Sequence, residues 1–173
     1  LLSLYNALNG SNYSNPDELE INTLDNVLYL TMKNDVAFLI SGTMNLYEHQ
    51  STFNPNMPVR GLMYFSKLYE KYIVTNGIDI YTSTPKKLPF PQYFVFYNGT
   101  MDEPDRSELK LTDLLDMPSS PKTSCLECTA IMLNINYGHN KVLMEKCRRL
   151  KEYAIFVDTV RKGLSAGTPI EKS

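Results

Sequence analysis

The run Tyr93-Phe94-Val95-Phe96-Tyr97 constrains this chain more than any other feature, because consecutive large apolar residues leave neither side of an extended segment for water. It reads as a strand buried on both faces and closed by Asn98-Gly99. Such a strand needs a layer of structure above it and another below, which points to a central sheet flanked by helices. Thr129 to Tyr137 reads as a second buried strand. With 173 residues, of which 43% are apolar and 21% charged, the chain can fill one sizeable core, so a single domain spanning residues 1–173 is expected.

The remaining elements follow from periodicity. Leu1, Leu4, Tyr5 and Leu8 recur at helical spacing until Asn9-Gly10-Ser11-Asn12 stops them. Asp35 to Ile40 and Met44 to Ser51 are rich in strand formers and flank Ser41-Gly42-Thr43, the pattern of a β-hairpin. Pro58 suits a first helical turn, and Leu62, Phe65, Leu68 or Tyr69, Tyr72 and Ile73 form one stripe that ends near Gly77. The polar stretch from Asp102 to Ser124, broken by Pro104, Pro118 and Pro121, is expected to be a surface excursion around a short helix at Leu109 to Leu115. Leu143, Cys147, Leu150, Ala154, Val157 and Val160 predict one last helix over Lys141 to Arg161. Leu24 to Met32 is apolar and reads equally as helix or strand. The order describes an α/β fold with a mixed sheet.

A formal charge of −2 gives the molecule no attractive field for nucleic acid, so any such partner must be met by a local basic face. Lys141 to Arg149 with Lys151 is the densest basic stretch, and a solvated helix face is the favoured explanation of it. Three cysteines cannot all pair, and a chain of this size needs no disulfide staple, which favours a reducing cytoplasm. No apolar run is long enough to suggest a membrane span. Both ends look as if cut from a longer chain.

Chemistry concentrates in the hairpin. Hydrolysis of a phosphodiester needs a hard cation held by carboxylates, which activates water and offsets the charge growing on the phosphate. Glu48 and Gln50 lie two apart on a strand and therefore share a face. If the hairpin closes through Gly42-Thr43, Asp35 lies opposite Gln50; if it closes through Ser41-Gly42, Asp35 lies opposite Glu48. Both registers put Asp35, Glu48 and Gln50 on one face, whereas a three-residue loop would separate them. Leu39, Met44 and Leu46 share that face, so a carboxylate among them would be costly without a compensating cation or partner.

Asn34-Asp35-Val36-Ala37-Phe38, Leu46-Tyr47-Glu48-His49-Gln50-Ser51 and Met57-Pro58-Val59-Arg60, followed by a Tyr-rich helix, resemble the bacterial recombination-promoting nucleases, also described as PD-(D/E)XK nuclease family transposases. Phe96-Tyr97-Asn98-Gly99 and Leu133-Asn134-Ile135-Asn136-Tyr137-Gly138-His139-Asn140 resemble the next two core strands of that family. The resemblance implies a restriction-endonuclease-like core and a DNA endonuclease that works in recombination or mobile-element biology. It also implies that Asp35 and Glu48 hold Mg²⁺, or Mn²⁺ in its place, with the backbone carbonyl of His49 as a third ligand. Gln50 stands where most such enzymes have lysine. Glutamine can orient water but carries no charge and takes no proton, so slow or context-dependent cleavage is expected. An acid on the preceding helix completes many of these sites, and Asp25 is the nearest candidate. Cutting both strands would favour a homodimer. The other reading is a module on the same fold that binds nucleic acid or protein without turnover.

Four further residues or motifs are weighed against plainer roles. Arg60, in the first turn of its helix, opposes the helix dipole and is explained either by a phosphate or by a nearby acid. Cys125-x-x-Cys128 has metal-ligand spacing but no second pair at zinc distance, and a half-buried pair at a strand edge is expected. His49 alternates to the face opposite Glu48, where packing against Val36 would account for it. His139 is expected to help start the last helix.

Overall fold

The structure is a computed structural model that describes residues 1–21, 36–116, 118–120 and 122–165. Asp25, Asp35 and the Leu24 to Met32 segment lie outside the described residues. In chain order the elements are α1 (Leu2–Asn9), β1 (Glu20–Ile21), β2 (Val36–Ile40), β3 (Thr43–Gln50), α2 (Met57–Thr75), β4 (Phe90–Tyr97), β5 (Arg106–Lys110), β6 (Thr129–Asn134), α3 (Lys141–Lys146) and α4 (Arg148–Ser165). The strands form one six-stranded mixed sheet in the order β1-β2-β3-β4-β6-β5. Strands β3, β4 and β6 run parallel, and the antiparallel partners lie outside them.

The central strand behaves as its composition demands. Tyr93, Val95 and Tyr97 point to one face, where they join Ala37, Leu39, Met44, Leu46 and Met132 beneath Tyr64, Phe65 and Leu68 of α2. Phe94 and Phe96 point to the other, where they meet Phe38, Tyr47 and Leu133 under residues of α1, α3 and α4. Tyr47 stands edge-on to Phe38, Phe94 and Phe96, with centroids 5.0 to 5.7 Å apart, an arrangement that aromatic quadrupoles favour. Helices therefore cover both faces, as expected.

The hairpin closes through Ser41-Gly42, with Ile40 opposite Thr43 and Val36 opposite Tyr47. Both turn residues have positive φ, 47° at Ser41 and 74° at Gly42, which is the type I′ geometry whose twist matches the flanking strands. An even loop fixes which residues face α2. Thus Glu48 shares a face with Leu46 and Met44, and His49 goes to the other side.

Two expectations need correction. The stretch after Asp102 is not merely an excursion around a helix: Arg106–Lys110 is a strand, paired antiparallel with β6, and only Leu111–Leu114 forms a single 3-10 turn. Its sequence, Arg-Ser-Glu-Leu-Lys, is polar because it is a sheet edge, where charge discourages further pairing. The last helix is also two helices, broken at Cys147, whose φ and ψ of −123° and 86° leave the helical region. The apolar stripe carries across the break, so periodicity alone does not reveal it.

Candidate functional site

Parallel strands put their carboxyl ends, Gln50, Tyr97 and Asn134, along one edge of the sheet. On the α2 face of that edge lies Glu48, 1% exposed. A carboxylate cannot be left uncompensated there. Tyr93 on the neighbouring strand donates its hydroxyl to Glu48 Oε1 at 2.8 Å, and Arg60 Nη2 sits 2.8 Å from Oε2. The Arg60 contact is one of charge rather than an aligned hydrogen bond. Of the two explanations that the sequence allows for Arg60, the acid is thus the one seen, although the pair is buried rather than superficial. Arg60 reaches the sheet because Pro58 starts α2 and Met57, only 1% exposed, anchors that first turn beneath it. The Arg60 side chain retains 15% exposure, so the cation touches water while its partner does not.

Tyr93 is a residue that the sequence reading missed. Its place depends on Gly61: a Cβ there would lie 2.7 Å from Tyr93 Cδ1, closer still to Cε1, and 3.0 Å from Cys128 Sγ. Glycine is required by this close approach, not by its backbone angles. The signal was present in the parity of the apolar run, which puts Tyr93 on the same face as Val95 and Tyr97. Gly61→Ala should lower stability by about 1–3 kcal/mol and displace the Tyr93 hydroxyl from Glu48. Chemical denaturation that shows no loss would contradict this packing.

Gln50 ends β3 half-buried, and its carbonyl accepts from the Asn98 backbone N–H at 3.0 Å. The Gly42 carbonyl at the other end of the same pairing likewise accepts from Phe90, at 2.8 Å. Even-numbered carbonyls of β3 thus turn to β4 and odd-numbered ones to β2. The His49 carbonyl therefore belongs to the set directed at β2, one rung past the Val36–Tyr47 pair. Two hard oxygen donors of the kind that Mg²⁺ takes, the Glu48 carboxylate and the His49 carbonyl, accordingly stand at this edge. A carboxylate offers about four lone-pair directions, so the Tyr93 contact does not exhaust it. Among the described residues no group of three His, Cys, Asp or Glu side chains converges as a ready cage. The donor types fit a magnesium ion; Asp35 and Asp25 lie outside the described residues.

The His49 ring lies on the opposite face from Glu48, as expected, and there it also meets α4. Its Nε2 lies 3.2 Å from the Tyr153 hydroxyl of α4, and the two rings meet edge-on. Burial lowers the imidazole pKa below 6.5, opposed by the Asn98 amide oxygen, which accepts a hydrogen bond from the ring N–H. Because the folded pKa is the lower one, the unfolded chain takes the proton first as pH falls. This contribution to stability is therefore complete above pH 6.5 and is lost as pH drops from there toward the folded value. His49→Gln should lose less stability than the parent chain between neutral and mildly acidic pH, read by denaturant titration at each pH.

His139 differs from expectation. Its Nδ1 pairs with Asp105 at 2.7 Å, while Asp105 Oδ2 accepts the Asn140 backbone N–H at 3.2 Å, so the carboxylate rather than the imidazole meets the start of α3. Cys128 is half-buried beside the first residue of β6, as expected of a strand edge, whereas Cys125 is exposed and does not share that burial. Burial, helped by the adjacent Glu127 charge, pushes the Cys128 thiol up to about 11, so it is a poor nucleophile at neutral pH. No helix among the described residues is long and apolar enough to cross a membrane.

No protein-family model, curated protein or solved structure matches the chain.

Proposed function

We propose that this chain is a Mg²⁺-dependent DNA endonuclease of the PD-(D/E)XK type, in the variant with glutamine in place of the usual lysine. The observation that carries the proposal is Glu48: a charged carboxylate held almost out of water at the carboxyl edge of parallel strands, with Gln50 two residues further along the same strand. Burial of an acid is expensive and calls for a purpose. The hairpin closure through Ser41-Gly42 supports the reading too, since it is one of the two even closures for which the sequence pattern puts Asp35, Glu48 and Gln50 on one face.

Asp35, Glu48 and the His49 carbonyl would hold the ion, with Asp25 as a further acid. Bound there, Mg²⁺ supplies Lewis-acid stabilisation of the phosphate and lowers the pKa of water. The remaining work falls to the chain. Glu48 is fixed in one orientation by Tyr93, which limits its loss of entropy on ligation. Gln50 positions the attacking water through its amide without accepting the proton. Arg60, already beside Glu48 and partly exposed, is placed to share itself with a DNA phosphate. Recombination or mobile-element biology is the setting that the sequence resemblance suggests, with a cytoplasmic location and a homodimer for two-strand cutting.

The Glu48–Arg60 contact favours a second reading. An arginine that neutralises the acid would let the fold persist as a nucleic-acid or protein-binding module without turnover. Calorimetric titration with Mg²⁺ and Mn²⁺ separates the two, because the nuclease reading expects binding that weakens in Asp35→Ala and Glu48→Gln. Single-turnover cleavage of duplex DNA then tests the role of position 50. Gln50→Lys should raise the rate by about tenfold or more if missing charge limits the enzyme, and an unchanged rate counts against that role.

A further inference from the structure

We infer a second ligand site, on the opposite face of the sheet from Glu48, that takes a phosphate monoester on Arg161. The chain passes to one face after β3, through α2, and to the other after β6, through α3 and α4. The carboxyl end of β4 lies between these departures, and in open α/β sheets ligands settle in the crevice formed at such a point. A cavity of about 350 Å³ occupies it here, lined by residues that follow β4 and β6 and by α4. That volume is within the range of small-molecule sites.

Arg161 supplies the charge. Its Nη1 donates to Asn136 Oδ1 at 2.8 Å and its Nη2 to the Asn98 carbonyl, so both partners are neutral. No carboxylate among the described residues lies within ion-pair distance of it, because Asp158 is taken by Lys162 and Asp105 by His139, each at 2.7 Å. Two bonds fix the plane of the guanidinium and leave the rest of its five donors for a ligand. The plane is also stabilised from below. Asn136 is bound to Gly99 O and to Asn134 Oδ1, both at 3.0 Å, so the anchor of Arg161 is itself anchored.

The other lining groups define the ligand further. Asn98 is 5% exposed, its Nδ2 donates to the Tyr153 hydroxyl at 2.9 Å, and its side chain also interacts with the His49 ring, so it is held from behind as part of the cavity wall. Asp102, exposed and among the lining residues, opposes a bare dianion but accepts from hydroxyl or amino groups. Together these groups suit an organic phosphate that carries hydroxyls, of nucleoside monophosphate size, rather than inorganic phosphate. Such a phosphate can be free or can be the end of a nucleic-acid strand.

The test is calorimetric titration of the intact chain with adenosine monophosphate, with inorganic phosphate, and with one oligonucleotide bearing or lacking a 5′-phosphate. Binding of adenosine monophosphate is expected, at least tenfold weaker in Arg161→Gln and within severalfold of the parent in Arg161→Lys, and tighter in Asp102→Asn. The Asp102 variant alters an exposed side chain and should fold whatever happens at position 161. Glu48→Gln should leave this binding unchanged, so the site stands or falls apart from the nuclease reading. Stronger binding of the phosphorylated oligonucleotide than of adenosine monophosphate would assign the phosphate to a strand end, and the reverse to a free nucleotide. Lack of binding by every probe, or equal binding by the parent, Arg161→Gln and Asp102→Asn, overturns the inference.

Discussion

Arg60→Ala, measured in the presence of a chelator, is expected to cost about 3–5 kcal/mol of stability, and millimolar Mg²⁺ is expected to restore much of it. Glu48 is buried and its position is set from the sheet, so removal of the cation beside Oε2 leaves a negative charge with little access to water. The opposite deletion is milder. Arg60 keeps some exposure and a flexible stem, and after Glu48→Gln it can turn its head to solvent. This asymmetry is itself measurable by denaturant titration of the two variants side by side. If Mg²⁺ restores nothing to Arg60→Ala, Glu48 is a structural acid and the binding-module reading gains. If the ion restores stability to Arg60→Ala but not to the double variant with Glu48→Gln, the carboxylate is its ligand.

The second large effect concerns activity. In a plasmid-nicking assay with Mg²⁺, Glu48→Gln should reduce the rate by at least about a hundredfold, the scale on which a single preorganised electrostatic group contributes to catalysis. Tyr93→Phe should lose less, because it frees the orientation of the carboxylate without removing it. A folded Glu48→Gln protein that nicks at the parental rate would falsify the nuclease proposal. Circular dichroism of the variant keeps loss of fold from being mistaken for loss of chemistry.

The parts of this fold that were legible in the sequence are those set by local pattern. Tyr93 to Tyr97 has no polar member, so its burial on both faces could be read directly, and the stripe of α2 likewise fixed the side that packs. The hairpin was legible to within one choice of loop, and the choice made, Ser41-Gly42, depends on Ser41 accepting a positive φ that serine seldom adopts. Strand β5 was hidden because an edge strand carries the polar residues of a loop. The break at Cys147 was hidden because Leu143, Cys147 and Leu150 keep helical spacing across it. Contacts between distant positions were the least accessible. Tyr93 meets Glu48, and Arg161 meets Asn98 and Asn136, through pairings that only the assembled sheet creates.

The two-residue turn at Ser41-Gly42 has a consequence for how such a chain can vary through time. Neighbouring side chains on β3 go to opposite faces, so adding or deleting one residue at this turn would exchange the places of Glu48 and His49. The acid would enter the aromatic layer and the imidazole would face Arg60. Length changes here are tolerable only in pairs, or where a bulge absorbs the odd residue. A library of insertions should therefore show an alternation at this position, with single insertions lost and double ones surviving, whereas the connection between α2 and β4 accepts either.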